Sequence, residues 1–271
     1  MKLAIAIASE KAAPSAFVVW RGFGPAIEKA KRAGFQGVEL ALRSEREFES
    51  EGLAEILQRN KMSVSCVSTG QVFAADGLYF THEDPAVRKR TVEIFQGLIR
   101  VAGRLGAMVN IGRARGLLTP ERTREETEAL FLDSLSQLIP EMERCHVDVV
   151  IEPVNRYEIN YLNNTDEVCA LLRKLHHPRF GVMPDVFHMN IEDDDICESL
   201  KRNREYIKYV HLADSNRYYP GRGHLNFEKI LGTLRTVGYQ GWCAVEILPD
   251  PDPDTAAFSA AEALLPFFSV E

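Results

Sequence analysis

The sequence predicts an α/β fold, a single closed (β/α)8 TIM barrel, on three observations. Short β-branched or apolar runs alternate along the chain with longer stretches of helical periodicity. Eight such units fill 271 residues, close to the roughly 250 that one barrel of this kind uses. No G-x-G-x-x-G and no G-x-x-x-x-G-K-S/T follows the first run, so an open nucleotide-binding sheet loses its main support.

In chain order the expected strands are Leu3–Ala8, Gly37–Leu42, Ser63–Ser68, Met108–Ile111, Val147–Ile151, Gly181–Pro184, Tyr209–Leu212 and Cys243–Ile247. Between them run the expected helices: Phe23–Ala33, Glu51–Asn60, Asp84–Leu105, Pro120–Cys145, Thr165–Leu175, Ile191–Arg202, Phe227–Val237 and Thr255–Phe268. Gly34, Gly106, Gly238 and Gly241 fall where helices end and strands begin, the place for a left-handed cap. Asn226 and Asp254 stand where helix N-caps belong. No Pro/Ser/Gly-rich linker divides the chain, so residues 1–271 are expected to form one domain.

Composition narrows the function. A net charge of −7 repels nucleic acid and anionic membranes on average. Five scattered cysteines (Cys66, Cys145, Cys169, Cys197, Cys243) form no C-x-x-C pair, which fits a reducing cytosol and argues against a disulfide framework or a thiolate zinc site. No apolar run reaches the roughly 20 residues of a membrane helix. The N-terminal MKLAIAIASEK is too short in its apolar part for a signal peptide and reads as the first strand. A cytoplasmic protein is expected.

Active-site residues of such barrels come from the C-terminal ends of strands. The fifth run ends VVIEP in Glu152, the sixth GVMPD in Asp185, the seventh YVH in His211, and the eighth WCAVE in Glu246. Three carboxylates facing one another repel and drive each other's pKa up, and a divalent cation removes that conflict. A mixed carboxylate–imidazole shell suits Mn²⁺, Co²⁺, Zn²⁺ or Mg²⁺. Pro153 then turns the chain out of the barrel. A lone strand-end acid is usually a solvated loop residue; four such residues at four consecutive strand ends are much harder to reach by accident.

Just past those ends lie Glu158, His188 and Arg217, expected in β-α loops. Arg217 offers a fork of hydrogen bonds, and His188 a group for a substrate hydroxyl. IEDDD (Ile191–Asp195) reads as acids favoured by a helix N-terminus, and the HHP at 176–178 as an exposed helix end. Arg113 and Arg115 suit either a substrate carboxylate or the surface.

IEPVNRYE, DVFHMNIE, HLADSNRYYPGRGH and AVEIL, in this order, resemble the xylose-isomerase-like barrel superfamily of sugar isomerases and epimerases. They look most like its D-tagatose 3-epimerase and 5-keto-L-gluconate epimerase branch, and STGQVFAADGLYFTH resembles the keto-gluconate members in particular. The resemblance implies one divalent metal, Mn²⁺ or Co²⁺, on Glu152, Asp185, His211 and Glu246. It implies Glu152 and Glu246 as the acid/base pair and Glu158, His188 and Arg217 as substrate-binding residues. A homo-oligomer, dimer or tetramer, is implied as well.

The expected chemistry is metal-dependent epimerisation of a free keto sugar or keto-aldonate. The cation acts as a Lewis acid toward the carbonyl, and proton transfer passes through an enediolate between two glutamates. An aldose–ketose isomerase of the same superfamily needs only one face and is the alternative. A DNA-repair nuclease of the endonuclease IV type needs histidines at the third and fourth strand ends, where this chain has VSTG and NIGRA. A sugar-binding barrel without activity would not need both glutamates. A phosphorylated substrate is disfavoured by the acidic LPDPDPD after the eighth strand, although YYPGRGH after the seventh carries Arg222 and two glycines. Specificity is expected in the loop Gly70–His82 and around Trp20.

Overall fold

A computed structural model describes residues 1–13 and 16–268. Its strands are β1 (Lys2–Ala8), β2 (Trp20–Arg21), β3 (Gly37–Ala41), β4 (Ser63–Ser68), β5 (Met108–Ile111), β6 (Val149–Ile151), β7 (Phe180–Val182), β8 (Tyr209–Leu212) and β9 (Trp242–Val245). All pair in parallel, in the order β7-β6-β5-β4-β3-β1-β9-β8. The seam between β7 and β8 is closed by the bridges Val182 to Ile207 and Asp185 to His211. The eight expected strands are all present, and they close into a (β/α)8 barrel. The two-residue β2 is an addition, a short parallel strip on the outer end of β1.

Alternation along each strand sorts the two layers of the core. On β1, Leu3, Ile5 and Ile7 face outward into the main cluster against the helices. Ala4, Ala6 and Ala8 face the barrel interior. Ala4 shares an inner layer with Cys66, Val150, Met183, Tyr209 and Ala244, one side chain from each of six positions around the barrel. The apolar side chains above it are small, Ala6, Ala8 and Ala41 with Val18. Small side chains there leave a hollow at the C-terminal mouth, which is where ligands bind in this architecture.

The helices are α1 (Phe23–Ala33), α2 (Glu45–Ser50), α3 (Leu53–Asn60), α4 (Gly70–Asp76), α5 (Pro85–Leu105), α6 (Arg124–Ser136), α7 (Ile139–Cys145), α8 (Thr165–Leu175), α9 (Val186–Glu192), α10 (Ile196–Arg202), α11 (Phe227–Thr236) and α12 (Pro253–Leu264). The expected helix 120–145 is two helices. Thr123 and Glu126 form a reciprocal capping box that delays the start of α6. Pro140, which has no N–H and whose ring would meet the carbonyl four residues earlier, starts α7 afresh. The expected helix 191–202 also divides, because α9 begins directly after Asp185, and Asp195 caps α10 separately. The expected helix 51–60 is α3, which starts two residues later, after left-handed Gly52, and α2 is an additional helix before it.

Gly34 and Gly106 are left-handed C-caps, at φ 90° and 63°. Gly238 is left-handed one residue beyond the cap of α11. Gly241 is not left-handed; a Cβ there would lie 2.5 Å from the Tyr239 hydroxyl, which donates to the Trp242 carbonyl. Asn226 caps α11 as expected. For α12 the cap is Asp252, not Asp254, and Asp254 instead accepts from Trp20 Nε1 and Lys29 Nζ.

Candidate metal centre and substrate cleft

Glu152 is the first residue past β6, its amide still held to the Ile111 carbonyl on β5. Asp185 ends the β7 segment and caps α9, accepting from the Phe187 amide at 2.9 Å. His211 lies within β8, and Glu246 follows β9 with its amide bonded to the Leu212 carbonyl. These four residues bring one ligand atom each within 4.8 Å of one another. Among the described residues they form the one group of this kind.

The donor set fits a divalent cation on its own chemistry. His211 Nε2 donates to Glu39 Oε2 at 2.9 Å, which leaves Nδ1 with no hydrogen-bond partner although it is fully buried. That nitrogen points between Glu152 Oε1, 3.4 Å away, and Glu246 Oε2, 3.6 Å away. Three carboxylates with one neutral imidazole lone pair are what a hard-to-borderline cation binds. Among the described residues Arg217 is the one guanidinium paired with the group, donating to Asp185 Oδ2 at 2.6 Å and to Glu246 Oε2. One positive charge does not balance three carboxylates.

Electrostatics agree with that count. Burial pushes the Glu246 carboxyl up to about 8, with neighbouring Glu152 and Asp185 adding to the rise against His211 and Arg217. Burial works the same way on Asp185, but Arg217 and the two histidines outweigh it and hold Asp185 below the usual carboxylate range. Burial would lower His211, yet Glu39 first and Glu246 second raise it well above an ordinary histidine. A cation bound at Nδ1 would take the place of that proton.

Glu158, His188 and Arg217 line one cleft with Glu152 and Glu246. His188 lies on α9 rather than in a loop, since the helix starts at once after Asp185. Its tautomer follows from Asn155, a residue the sequence reasoning passed over within EPVNRYE. Asn155 Oδ1 accepts from the Tyr157 amide, which fixes the amide's orientation. Nδ2 then donates to His188 Nδ1 at 2.8 Å and to Glu158 Oε1 at 3.1 Å. Burial holds His188 down to about 3, so the ring is neutral and its Nε2 carries a hydrogen into the cleft. Asn155→Leu is expected to lower kcat/KM about 10- to 100-fold, the usual cost of losing the partner of a site ligand, with little change in melting temperature. Steady-state kinetics with parallel melts check it; unchanged turnover would mean that His188 is oriented without Asn155.

Arg217 sits at φ 66°, left-handed, in a turn where its amide meets the Asp214 carbonyl. Its guanidinium lies between the rings of Phe17 and Phe187, with centroids 4.6 and 4.7 Å away. Phe17 comes from the segment after β1, within the region around Trp20. Trp20 itself is buried against Phe258 and tied to Asp254, whereas Ala16, Phe17 and Val18 line the cleft. From the loop Gly70–His82, Gly70 and Gln71 line it.

Arg115 is neither a surface residue nor free for a substrate. It is fully buried and donates to four carbonyls, those of Tyr161, Gly112, Glu152 and Leu162. Arg113 reaches the cleft wall, half-buried over the Phe73 ring. The glycines of YYPGRGH serve Asp214, whose carboxylate accepts from the Ser215, Gly221 and Leu225 amides. Gly223 has no room for a Cβ, which would stand 2.2 Å from Asp214 Oδ1. Arg222 is paired with Asp250 and stacked on Tyr218 and Tyr219. Arg222 and the Gly221 amide of that loop are therefore already committed to carboxylates of the protein itself.

Fold and site together define a barrel that gathers a carboxylate–imidazole cluster able to hold a metal ion at its strand ends. A family model for the xylose isomerase-like TIM barrel matches residues 27–266, and the chain belongs to that family. The ketose 3-epimerase of Arthrobacter globiformis is 30% identical over 233 residues, covering 83% of this chain and 79% of that protein. The 3-dehydro-D-guloside 4-epimerase of Escherichia coli is 32% identical over 129 residues, 48% of this chain and 49% of that one. The crystal structure of D-allulose 3-epimerase from Methylomonas sp. in complex with D-allulose has the same fold, with a TM-score of 0.84 at 24% identity. It covers 98% of this chain and 96% of that chain. These relatives are epimerases, isomerases that act on sugars. No helix among the described residues is long and apolar enough to cross a membrane.

Proposed function

We propose that the protein is a divalent-metal-dependent epimerase of free keto sugars or keto-aldonates. The observation that carries the reading is the group Glu152, Asp185, His211 and Glu246, with the unpartnered His211 Nδ1 directed between the two glutamates. A cation held there, Mn²⁺ or Co²⁺ on this donor set, supplies Lewis acidity at the substrate's carbonyl oxygen. Glu152 and Glu246 arrive from β6 and β9 on either side of His211, and one removes the α-proton while the other returns a proton to the opposite face. Such general acid/base catalysis is worth ~10²–10⁴-fold. Arg217 and His188 Nε2 donate to substrate oxygens, and Glu158, raised by burial, accepts from a hydroxyl. A free sugar is favoured over a phosphorylated one because Arg222 and the Gly221–Gly223 loop are committed to Asp250 and Asp214. The Arg113 guanidinium makes no hydrogen bond or ion pair among the described residues and is the group available to an acid end of a keto-aldonate.

The test is incubation with Mn²⁺ or Co²⁺ and a panel of ketohexoses, ketopentoses and keto-aldonates in D₂O, followed by NMR. Deuterium at the carbon beside the carbonyl, with a new diastereomer, is the expected result. Label without inversion would favour the aldose–ketose isomerase, and no label with one metal bound would reject both. Metal removal gives an independent check. Mn²⁺ at about 100 times its Kd is expected to stabilise the folded state by about 2.7 kcal/mol over the EDTA-treated protein. That corresponds to a rise of roughly 5–10 °C in a melting scan for a chain of this size. Equal melting with and without metal would contradict the centre.

A further inference from the structure

We propose that Glu39 is a positioning residue of the metal centre: it selects the His211 tautomer and presents Nδ1 as a preformed donor. The inference rests on the metal reading above and goes beyond the four residues that reading names.

Glu39 lies in the middle of β3, in a run, GVELA, whose every residue is buried. Val38 and Leu40 face the helices, so alternation turns Glu39 into the barrel. A carboxylate in that position is costly to bury and survives only where something compensates it. No lysine or arginine is paired with it among the described residues. Its one strong contact is His211 Nε2 at 2.9 Å, and Oε1 has no hydrogen-bond partner.

The local backbone is built around this contact. Between Val38 and Glu39 the register of β3 against β4 shifts, so that Val38 pairs with Val64 and Glu39 with Cys66. Such a bulge re-aims the side chains beside it. The residue skipped is Ser65, whose hydroxyl donates to the Val38 carbonyl and meets the Tyr209 hydroxyl at 2.7 Å. Tyr209 is two residues before His211 on the same face of β8, so the bulge, Ser65 and Tyr209 together wall in the Glu39 carboxylate.

Glu39 as an acceptor requires a hydrogen on Nε2. The lone pair of the neutral ring is then on Nδ1, the nitrogen that faces Glu152, Asp185 and Glu246. A carboxylate behind a ligating histidine also raises its basicity, and loss of such a partner commonly weakens metal binding 10- to 100-fold. A purely structural role fits less well. A buried carboxylate–imidazole pair is rarely a net source of stability, and an apolar replacement of similar volume is often neutral or stabilising. Glu39 is too deep, beneath His211, to be a ligand of the same cation, and it belongs to none of the groups whose ligand atoms converge.

The experiment compares wild type, Glu39→Gln and Glu39→Leu, each freed of metal, for two quantities: Mn²⁺ affinity by titration calorimetry or electron paramagnetic resonance, and the melting temperature without metal. Gln keeps an acceptor for Nε2–H but removes the charge; Leu removes both. The expected order of Mn²⁺ affinity is wild type, then Gln about 10-fold weaker, then Leu about 100-fold weaker. The metal-free melting temperatures of the variants are expected to equal or exceed wild type. Leu binding Mn²⁺ within twofold of wild type would overturn the proposal. So would metal-free melting temperatures that fall in step with affinity, because Glu39 would then act on the fold as a whole. Wild type that binds no Mn²⁺ would instead overturn the metal centre itself, and the two failures are separate.

Discussion

Glu246→Gln is expected to abolish epimerisation while leaving slow exchange of the α-hydrogen with solvent in one epimer only; Glu152→Gln is expected to leave it in the other. The reason is geometric. Inversion needs a base on one face of the substrate and an acid on the opposite face, and the two glutamates reach the centre from different strands with His211 Nδ1 between them. Replacing one by an amide leaves one face served. An epimer whose hydrogen points to the remaining glutamate can lose it and regain deuterium from the same side, without inversion. An epimer whose hydrogen points to the amide can do neither. Each variant also loses a carboxylate of the metal group, so both rates fall, by about 10³-fold or more in kcat when acid/base and ligand terms combine. Metal occupancy must be measured alongside and brought to saturation. The crossed pattern, one epimer exchanging in each variant, distinguishes two-face proton transfer from a single base. Exchange from both epimers in either variant would assign the chemistry to one residue, as in an aldose–ketose isomerase.

How far these residues could be read from the sequence depends on where each sits. Glu152, Asp185, His211 and Glu246 end apolar runs, and a polar residue at that position in four consecutive strands is visible without coordinates. Glu39 gave the same signal, a carboxylate inside VELA, but in mid-strand, where no rule of barrel architecture directs attention. Its partner is 172 residues away, and the bulge that aims it leaves no mark of its own in the sequence. Asn155 was hidden for a different reason. It stands among residues already given roles, and its task, fixing the orientation of His188, exists only once α9 packs beside the loop after β6. The merged helix expected over 120–145 shows the opposite failure, since Pro140 and the Thr123–Glu126 box were legible and were outweighed by continuous helical periodicity.

Arg115 makes the second large prediction, and it concerns stability first. The side chain is fully buried, and its guanidinium makes no hydrogen bond to a carboxylate; all four of its hydrogen bonds go to backbone carbonyls. Burial alone draws its pKa down to about 10, which leaves it charged at neutral pH. The carbonyls of Gly112 and Glu152 belong to the ends of β5 and β6, and those of Tyr161 and Leu162 to the loop that follows β6. One planar fork thus pins the loop carrying Asn155 and Glu158 to the strand ends carrying the proposed metal ligands. Arg115→Met fills much of the volume but strands three buried acceptors, the Glu152, Tyr161 and Leu162 carbonyls, each worth about 1–3 kcal/mol when left unpaired, while the Gly112 carbonyl keeps the backbone amide of residue 115. Partial rehydration reduces the sum, and a loss of about 3–5 kcal/mol is expected, a fall of roughly 10 °C in melting temperature. Arg115→Lys is expected to recover only part of it, because a single ammonium cannot address carbonyls that diverge around a plane. Urea midpoints of both variants test this. A Met variant within about 1 kcal/mol of wild type would mean that water enters and satisfies the carbonyls, and the loop would then hold its place without the arginine. If instead the loss is large, Mn²⁺ affinity should fall with it, since the Glu152 carbonyl is one of the three groups released.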